Sequence, residues 1–347
     1  MARLVLHIGL HKTATTTIQD TLFHNRAMLH DYGLIYPFVG ETRGHHGLVS
    51  RWVPMPRPYS LRGDPEAEWI RIAKDYADEE GVVFLSSEEF SRAHPRRVDL
   101  DDLRRLSEPY ESVQVICMLR SQRAFLQSVY SQISRDRPAP EVRAFIRSAL
   151  SSGFADGLWM DYAALAAHLE TVFEPEEVTF LSYEAAAASE GGVVGEMLRQ
   201  LGLPLKASAL NPFGQGAGRS NVSADPLATM VAAAISRPGV APGPLIGLVD
   251  SVLRGQFGAE MRGTIFTPEE STEIVRRFSD LNASFESRRS ILQPGLRLAS
   301  LAPSGDEIGR DRLTRPIWEK IARAVYRAGD TAQAARARKE AMVGAAS

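Results

Sequence analysis

The sequence predicts an α/β fold, a three-layer arrangement of a parallel sheet flanked by helices, with extra helices toward the C-terminus. Three observations carry this. Short apolar runs recur at 3–8, 82–86, 113–119 and 178–182, as strands buried on both faces require. Helical patterns separate and follow them, at 15–30, 66–80, 121–135, 141–151, 160–172, 192–201, 268–286 and 313–342. The first run also passes through one short polar loop straight into a helix.

That first strand is Leu4-Val5-Leu6-His7-Ile8. The loop is Gly9-Leu10-His11-Lys12-Thr13-Ala14-Thr15-Thr16-Thr17, and the helix continues from Ile18. A helix start leaves backbone N–H groups without partners and turns its positive dipole end outward. Lys12 adds a full charge and the threonines add hydroxyls, so the segment reads as a site for phosphate or sulfate. It does not match the Walker A pattern, because no second glycine precedes a Lys-Ser/Thr pair. His7 reads as packed within the strand, whereas His11 lies inside the loop, within reach of a ligand.

The third run, Val113 to Leu119, ends at Arg120, and a helical stretch follows with Ser128 eight residues beyond the arginine. Arginine suits a terminal phosphate because its planar fork donates two parallel hydrogen bonds. The fourth run ends in Ser182-Tyr183-Glu184, and a helix then runs to Gly202-Leu203-Pro204. Together these segments, over roughly residues 3 to 225, resemble the sulfotransferases that use 3′-phosphoadenosine 5′-phosphosulfate, and their bacterial carbohydrate-type group in particular. Gly9, Lys12, Thr13, Thr15 and Thr16 fall on that family's 5′-phosphosulfate loop, and Ala14 stands where the family usually has glycine. Arg120 and Ser128 fall on its 3′-phosphate motif. Arg219, in Arg219-Ser220-Asn221-Val222-Ser223, resembles the segment that closes over the nucleotide.

The resemblance implies roles. Lys12 would carry the charge on the bridging oxygen, and Gly9, His11, Thr13, Ala14, Thr15 and Thr16 would surround the 5′-phosphate. Arg120, Ser128 and Arg219 would hold the rest of the donor, and no metal is expected. The base is open among three residues. Glu88 leads, Glu89 follows, and both come directly after the 82–86 strand, where ligand crevices of open sheets lie. A partly buried glutamate there is expected to titrate above its ordinary range. His46, in Gly44-His45-His46-Gly47, is the rival proton carrier. Trp52, Tyr59, Trp69 and Trp159 are candidates for a stacking wall, set against their more usual place in a core.

The 347 residues carry 40 basic and 42 acidic side chains, a net charge of −2 that argues against a general nucleic-acid binder. The single cysteine, Cys117, lies in a strand and reads as a reduced core thiol. No apolar stretch approaches the roughly 20 residues of a membrane span, and a cytoplasmic protein is expected. The expected organisation is a domain over 1–290, with loop insertions at 37–65 and 205–245, and a helical extension over 291–347. A glycan or small metabolite is the expected acceptor. Two other readings stay open: a P-loop nucleotide kinase, and a nucleotide- or glycan-binding protein without turnover.

Overall fold

The apolar runs become strands because both of their faces are covered. Leu4, Val5, Leu6, Phe84, Leu85, Ile116, Cys117 and Phe180 are all fully enclosed. The computed structural model describes residues 1–211, 224–299 and 305–344, the stretch 331–344 as backbone alone. Strands β1 (Ala2–His7), β2 (Leu34–Ile35), β3 (Gly81–Ser86) and β4 (Ser112–Leu119) join Val178–Ser182 in one parallel five-stranded sheet. Its order is β2-β3-β1-β4 and then the 178–182 strand, so β1 is central. Register places His7 opposite Ser86 on one side and Ile116 on the other.

One face of the sheet presents Val5, Phe84, Ile116 and Met118 to helix α1 (Thr15–His24), helix α2 (Arg26–His30) and the Gly192–Gln200 helix. Their partners there are Ile18, Leu22, Leu29, Met197 and Leu198. Each such side chain, fully buried, contributes about 1.5–3 kcal/mol. On the other face Phe180 meets Phe285 edge-on, 5.1 Å between ring centres. Cys117 is sealed in the sheet, and burial pushes its thiol well above the usual range.

The 178–182 strand is a sheet edge, and its free backbone is covered. Gln293 accepts from Phe180 N–H at 3.0 Å and donates to Phe180 C=O at 2.9 Å, acting as a substitute strand residue. Arg289 donates to the Val178 carbonyl beside it. An unpaired edge invites pairing with other chains. Gln293→Ala is expected to cost about 1–3 kcal/mol, because two half-buried backbone groups lose their partners. A chemical-denaturation midpoint equal to that of the parent would refute this.

The helix expected over 15–30 is two helices. Asn25 interrupts it with φ −102° and ψ 8°, its side chain donating to the Thr21 and Asn211 carbonyls and accepting from Asn211 N–H. Asparagine competes for backbone groups in this way. Helices also form at Leu100–Ser107, Tyr183–Ala188, Pro226–Ser236 and Gly243–Phe257, where none was expected. The stretch expected as a loop insertion over 205–245 therefore holds the 226–236 helix and the first turn of the next one, with irregular backbone between them over 237–242. Pro226 and Pro244 both sit in a first helical turn, where a missing N–H costs nothing.

Residues 37–64 form irregular backbone with two short helical turns, and they are fastened throughout. Tyr36 Oη donates to the Arg43 carbonyl at 2.7 Å, and Arg43 pairs with Asp20 at 3.0 Å. Arg51 reaches Asp102 at 2.5 Å and Glu66 at 2.7 Å, Arg105 joins the same two carboxylates, and Trp52 Nε1 donates to Asp102 at 2.8 Å.

Two units divide the chain. The first holds the sheet and comprises 1–126, 146–221 and 274–301; the second comprises 127–145, 222–273 and 302–347. Both interleave along the sequence. Within the second unit the 226–236 helix packs on the 243–257 helix, which packs on the Arg315–Gly344 helix. Among the described residues no helix is long and apolar enough to cross a membrane.

Candidate functional site

The loop between β1 and α1 is shaped by alternating backbone hand. Lys12 has φ +65° and Ala14 φ +60°, both left-handed, while Thr13 between them is not. Such alternation turns consecutive N–H groups toward one concavity, which favours an anion. Each left-handed L-residue costs about 1–2 kcal/mol, so the surroundings must hold the loop. Leu10 N–H bonds the Met118 carbonyl at 3.2 Å, Thr13 Oγ1 donates to the Leu10 carbonyl at 2.6 Å, and Arg120 Nη1 donates to the Lys12 carbonyl at 2.8 Å. Arg120 is itself placed by the Tyr183 ring, 5.0 Å from its guanidinium carbon, and by Tyr162, whose hydroxyl donates to its carbonyl. Glu184 accepts the next N–H, from Ser121, at 2.9 Å.

Ala14 is also the N-cap of α1 and makes no side-chain cap. Replacing it tests the strain. Ala14→Gly is expected to raise stability by about 0.5 kcal/mol, the relief of the left-handed conformation being partly offset by glycine's entropy. Ala14→Val is expected to lower it by more than about 1 kcal/mol, because a β-branched residue resists positive φ. Urea midpoints in the opposite order would refute the assignment.

Thr15 opens α1 with its hydroxyl buried and, among the described residues, without a partner, at 4% residue exposure. Thr13, by contrast, donates its hydroxyl proton within the loop, so it shapes the loop and offers an anion only its N–H. Thr16 and Thr17 face solvent, and Lys12 is half-buried.

Solved structures resemble this chain, two sulfotransferases among them. One is a sulfotransferase from Alicyclobacillus acidocaldarius, 15% identical, with a TM-score of 0.48 over 84% of this chain and 96% of that one. The other is the sulfotransferase domain of the Synechococcus PCC 7002 olefin synthase, 16% identical, with a TM-score of 0.38 over 72% of this chain and 94% of that one. No family model and no curated protein matches the sequence. At these identities and scores neither donor nor acceptor follows from the likeness.

Beside the loop, the end of β3 brings together the candidate proton carriers. Glu88 and Glu89 start a short 3-10 turn capped by Ser87, whose Oγ accepts from Glu89 N–H at 3.3 Å. Glu88 is half-buried, and Gln19 Nε2 lies 3.5 Å from its Oε2. Glu89 differs. It pairs with Arg92 and sits 3.4 Å from His11 Nε2. Burial pushes its carboxyl up, but the Arg92 hydrogen bond and the nearby His11 and Arg92 charges outweigh that and hold it below the ordinary range. The raised value expected for a buried glutamate is therefore not that of Glu89, because a cation was packed against it. His11 is held below its ordinary value, chiefly by burial and against the pull of Glu89 and Glu88.

The two adjacent loop histidines have separate fates. His45 Nδ1 accepts Ser86 N–H at 2.9 Å and its Nε2–H donates to the Pro37 carbonyl at 2.8 Å. Both nitrogens are occupied, and burial lowers its pKa to about 4. It is a structural brace. His46 Nδ1 lies 2.8 Å from Ser87 Oγ. That oxygen already accepts from Glu89, and among the described residues His46 is the acceptor in reach of its proton. Neutral His46 then carries its own proton on Nε2, the wrong form for a base acting there.

Of the aromatic candidates, Trp69 and Trp159 are core and Trp52 is tied to Asp102. Tyr59 is 43% exposed and stands edge-on to His46 at 5.2 Å. Ser128 is half-buried on the Gln122–Asp136 helix, in the second unit. Arg219 lies outside the described residues. Among those described, no group of three or more His, Cys, Asp or Glu is placed to hold a metal ion. Gln19, Ser86 and Ser87 escaped sequence reasoning. Their one legible signal was that Ser86-Ser87 directly precedes the two glutamates.

Proposed function

We propose that this protein transfers a sulfuryl group from 3′-phosphoadenosine 5′-phosphosulfate to a hydroxyl or amine of a glycan or small metabolite. One observation carries the reading. A left-handed loop at the end of the central strand joins Lys12 to a helix start that holds a buried Thr15 hydroxyl with no partner among the described residues. Those groups fit an anion. Thr15 and the amides of residues 12–16 would bind the 5′-phosphate, and Lys12 would neutralise the oxygen from which the sulfuryl group departs. Arg120, poised over Tyr183 and against the loop, would meet the 3′-phosphate. The donor supplies the activated sulfuryl group; the chain's own work is orientation, charge neutralisation and proton removal. Glu88 is the base of choice. It is half-buried at the strand end, with Gln19 Nε2 3.5 Å from its carboxylate. Tyr59 would face the acceptor.

Thermal unfolding with adenosine 3′,5′-bisphosphate, against adenosine 5′-monophosphate and ATP–magnesium, tests the reading. At 100 times its Kd the bisphosphate should stabilise by about 2.7 kcal/mol. A shift with ATP–magnesium alone, or equal shifts with bisphosphate and monophosphate, would overturn it.

A further inference from the structure

His7, the last residue of β1, is fully enclosed and stacks on Phe84 with ring centres 5.8 Å apart. Its Nδ1 lies 2.9 Å from Ser86 Oγ. Among the described residues its Nε2 has no partner. Gln19 orders this cluster. Its Nε2 lies 3.1 Å from the Ser86 carbonyl, 3.2 Å from Ser86 Oγ and 3.5 Å from Glu88 Oε2. A carbonyl and a carboxylate only accept, so the Gln19 amide must present its NH₂ side. Ser86 Oγ therefore accepts from Gln19, and among the described residues its proton has one acceptor, His7 Nδ1. The His7 proton then sits on Nε2.

The direction of that N–H is recorded by Gly9. A Cβ at residue 9 would lie 2.7 Å from His7 Nε2 and 3.3 Å from Thr13 Oγ1. Gly9 does not need its backbone freedom, since its φ is not positive. Glycine stands there because a Cβ would collide with the imidazole nitrogen. We infer that His7 is a binding residue of the loop, donating a neutral Nε2–H hydrogen bond to an oxygen of the anion held there, with Ser86 and Gln19 fixing its tautomer. This rests on the loop being the anion site proposed above. Burial lowers the His7 pKa to about 4, so the donor stays neutral beside the charged Lys12.

Long-range ¹H–¹⁵N spectra of the full-length protein test this, with adenosine 3′,5′-bisphosphate and inorganic sulfate as probes. Without ligand, His7 is expected as the Nε2–H tautomer, and Ser86→Ala should yield a mixture. The Nδ1–H tautomer in the parent protein would overturn the inference. On adding either anion, the His7 Nε2–H proton should move together with the Lys12 and Thr15 amides. If the amides move and the imidazole proton does not, the inference fails and the anion site stands. If the amides are silent too, the anion-site reading fails and the role of His7 falls with it. His7→Phe, which keeps a ring against Phe84, is expected to weaken bisphosphate binding by at least about tenfold. Unchanged affinity in a variant with parental amide spectra would also overturn the inference.

Discussion

Lys12→Ala is expected to lower sulfuryl transfer by at least about 10²-fold while weakening donor binding only modestly. The size follows from removing one preorganised group that meets charge developing in the transition state, about 2.7–4 kcal/mol in comparable sites. The asymmetry follows from the loop. Its amides and the Thr15 hydroxyl remain to hold the ground-state phosphate. Alanine is the informative replacement, because it keeps a Cβ at the left-handed position and so leaves the backbone strain in place. Steady-state kcat and donor KM decide the matter. An unchanged kcat would remove Lys12 from the chemistry, and a large rise in KM alone would make it a binding residue.

Acidification is expected to destabilise the fold sharply between about pH 6.5 and pH 4. His7 and His45 carry this. Both are buried neutral, with pKa values lowered from 6.5 to about 4 by burial. In the unfolded chain they take up protons below pH 6.5, whereas the folded protein refuses them until about pH 4. The unfolded state thus binds more protons in that window, and stability rises with pH across it. Above pH 6.5 the contribution is complete. Integrated over the window it is on the order of 3 kcal/mol for each histidine. His11, also lowered chiefly by burial, acts in the same direction. Glu89 adds a further loss at lower pH, where its ion pair with Arg92 is protonated away. Urea unfolding at pH 7 and pH 5 checks the expectation, and His45→Gln should flatten the slope. A stability independent of pH over this range would refute the burial argument.

The β1 loop was legible because its signals are local: an apolar run, a lysine among threonines and a helix start. The proton carriers were not legible in the same way. What separates Glu88 from Glu89 is Arg92 and a histidine from another loop, and what separates His45 from His46 is which of Ser86 and Ser87 each one meets. The histidine pairings join residues far apart in sequence, and no spacing encodes them; Glu89 and Arg92 stand only three residues apart, but nothing in that spacing says which glutamate the arginine takes. The 226–236 helix was missed for a different reason. Pro226 to Ser236 is apolar nearly all round, so it shows no 3.6-residue period. Asp225-Pro226 at its start, with Asp225 accepting from Leu227 and Ala228 N–H, was the available sign.

The fastening of residues 37–64 has a consequence for selectivity. Backbone freedom in this segment was given up on folding, through Arg51, Tyr36 and His45, before any acceptor arrives. On the proposed function, an acceptor that meets Tyr59 and His46 would order few protein torsions as it docks, and its affinity would carry little of that entropic cost. The same rigidity removes tolerance. A wall that cannot move aside discriminates by refusing what is too large, so closely related acceptors should divide sharply into those that fit and those that do not bind at all.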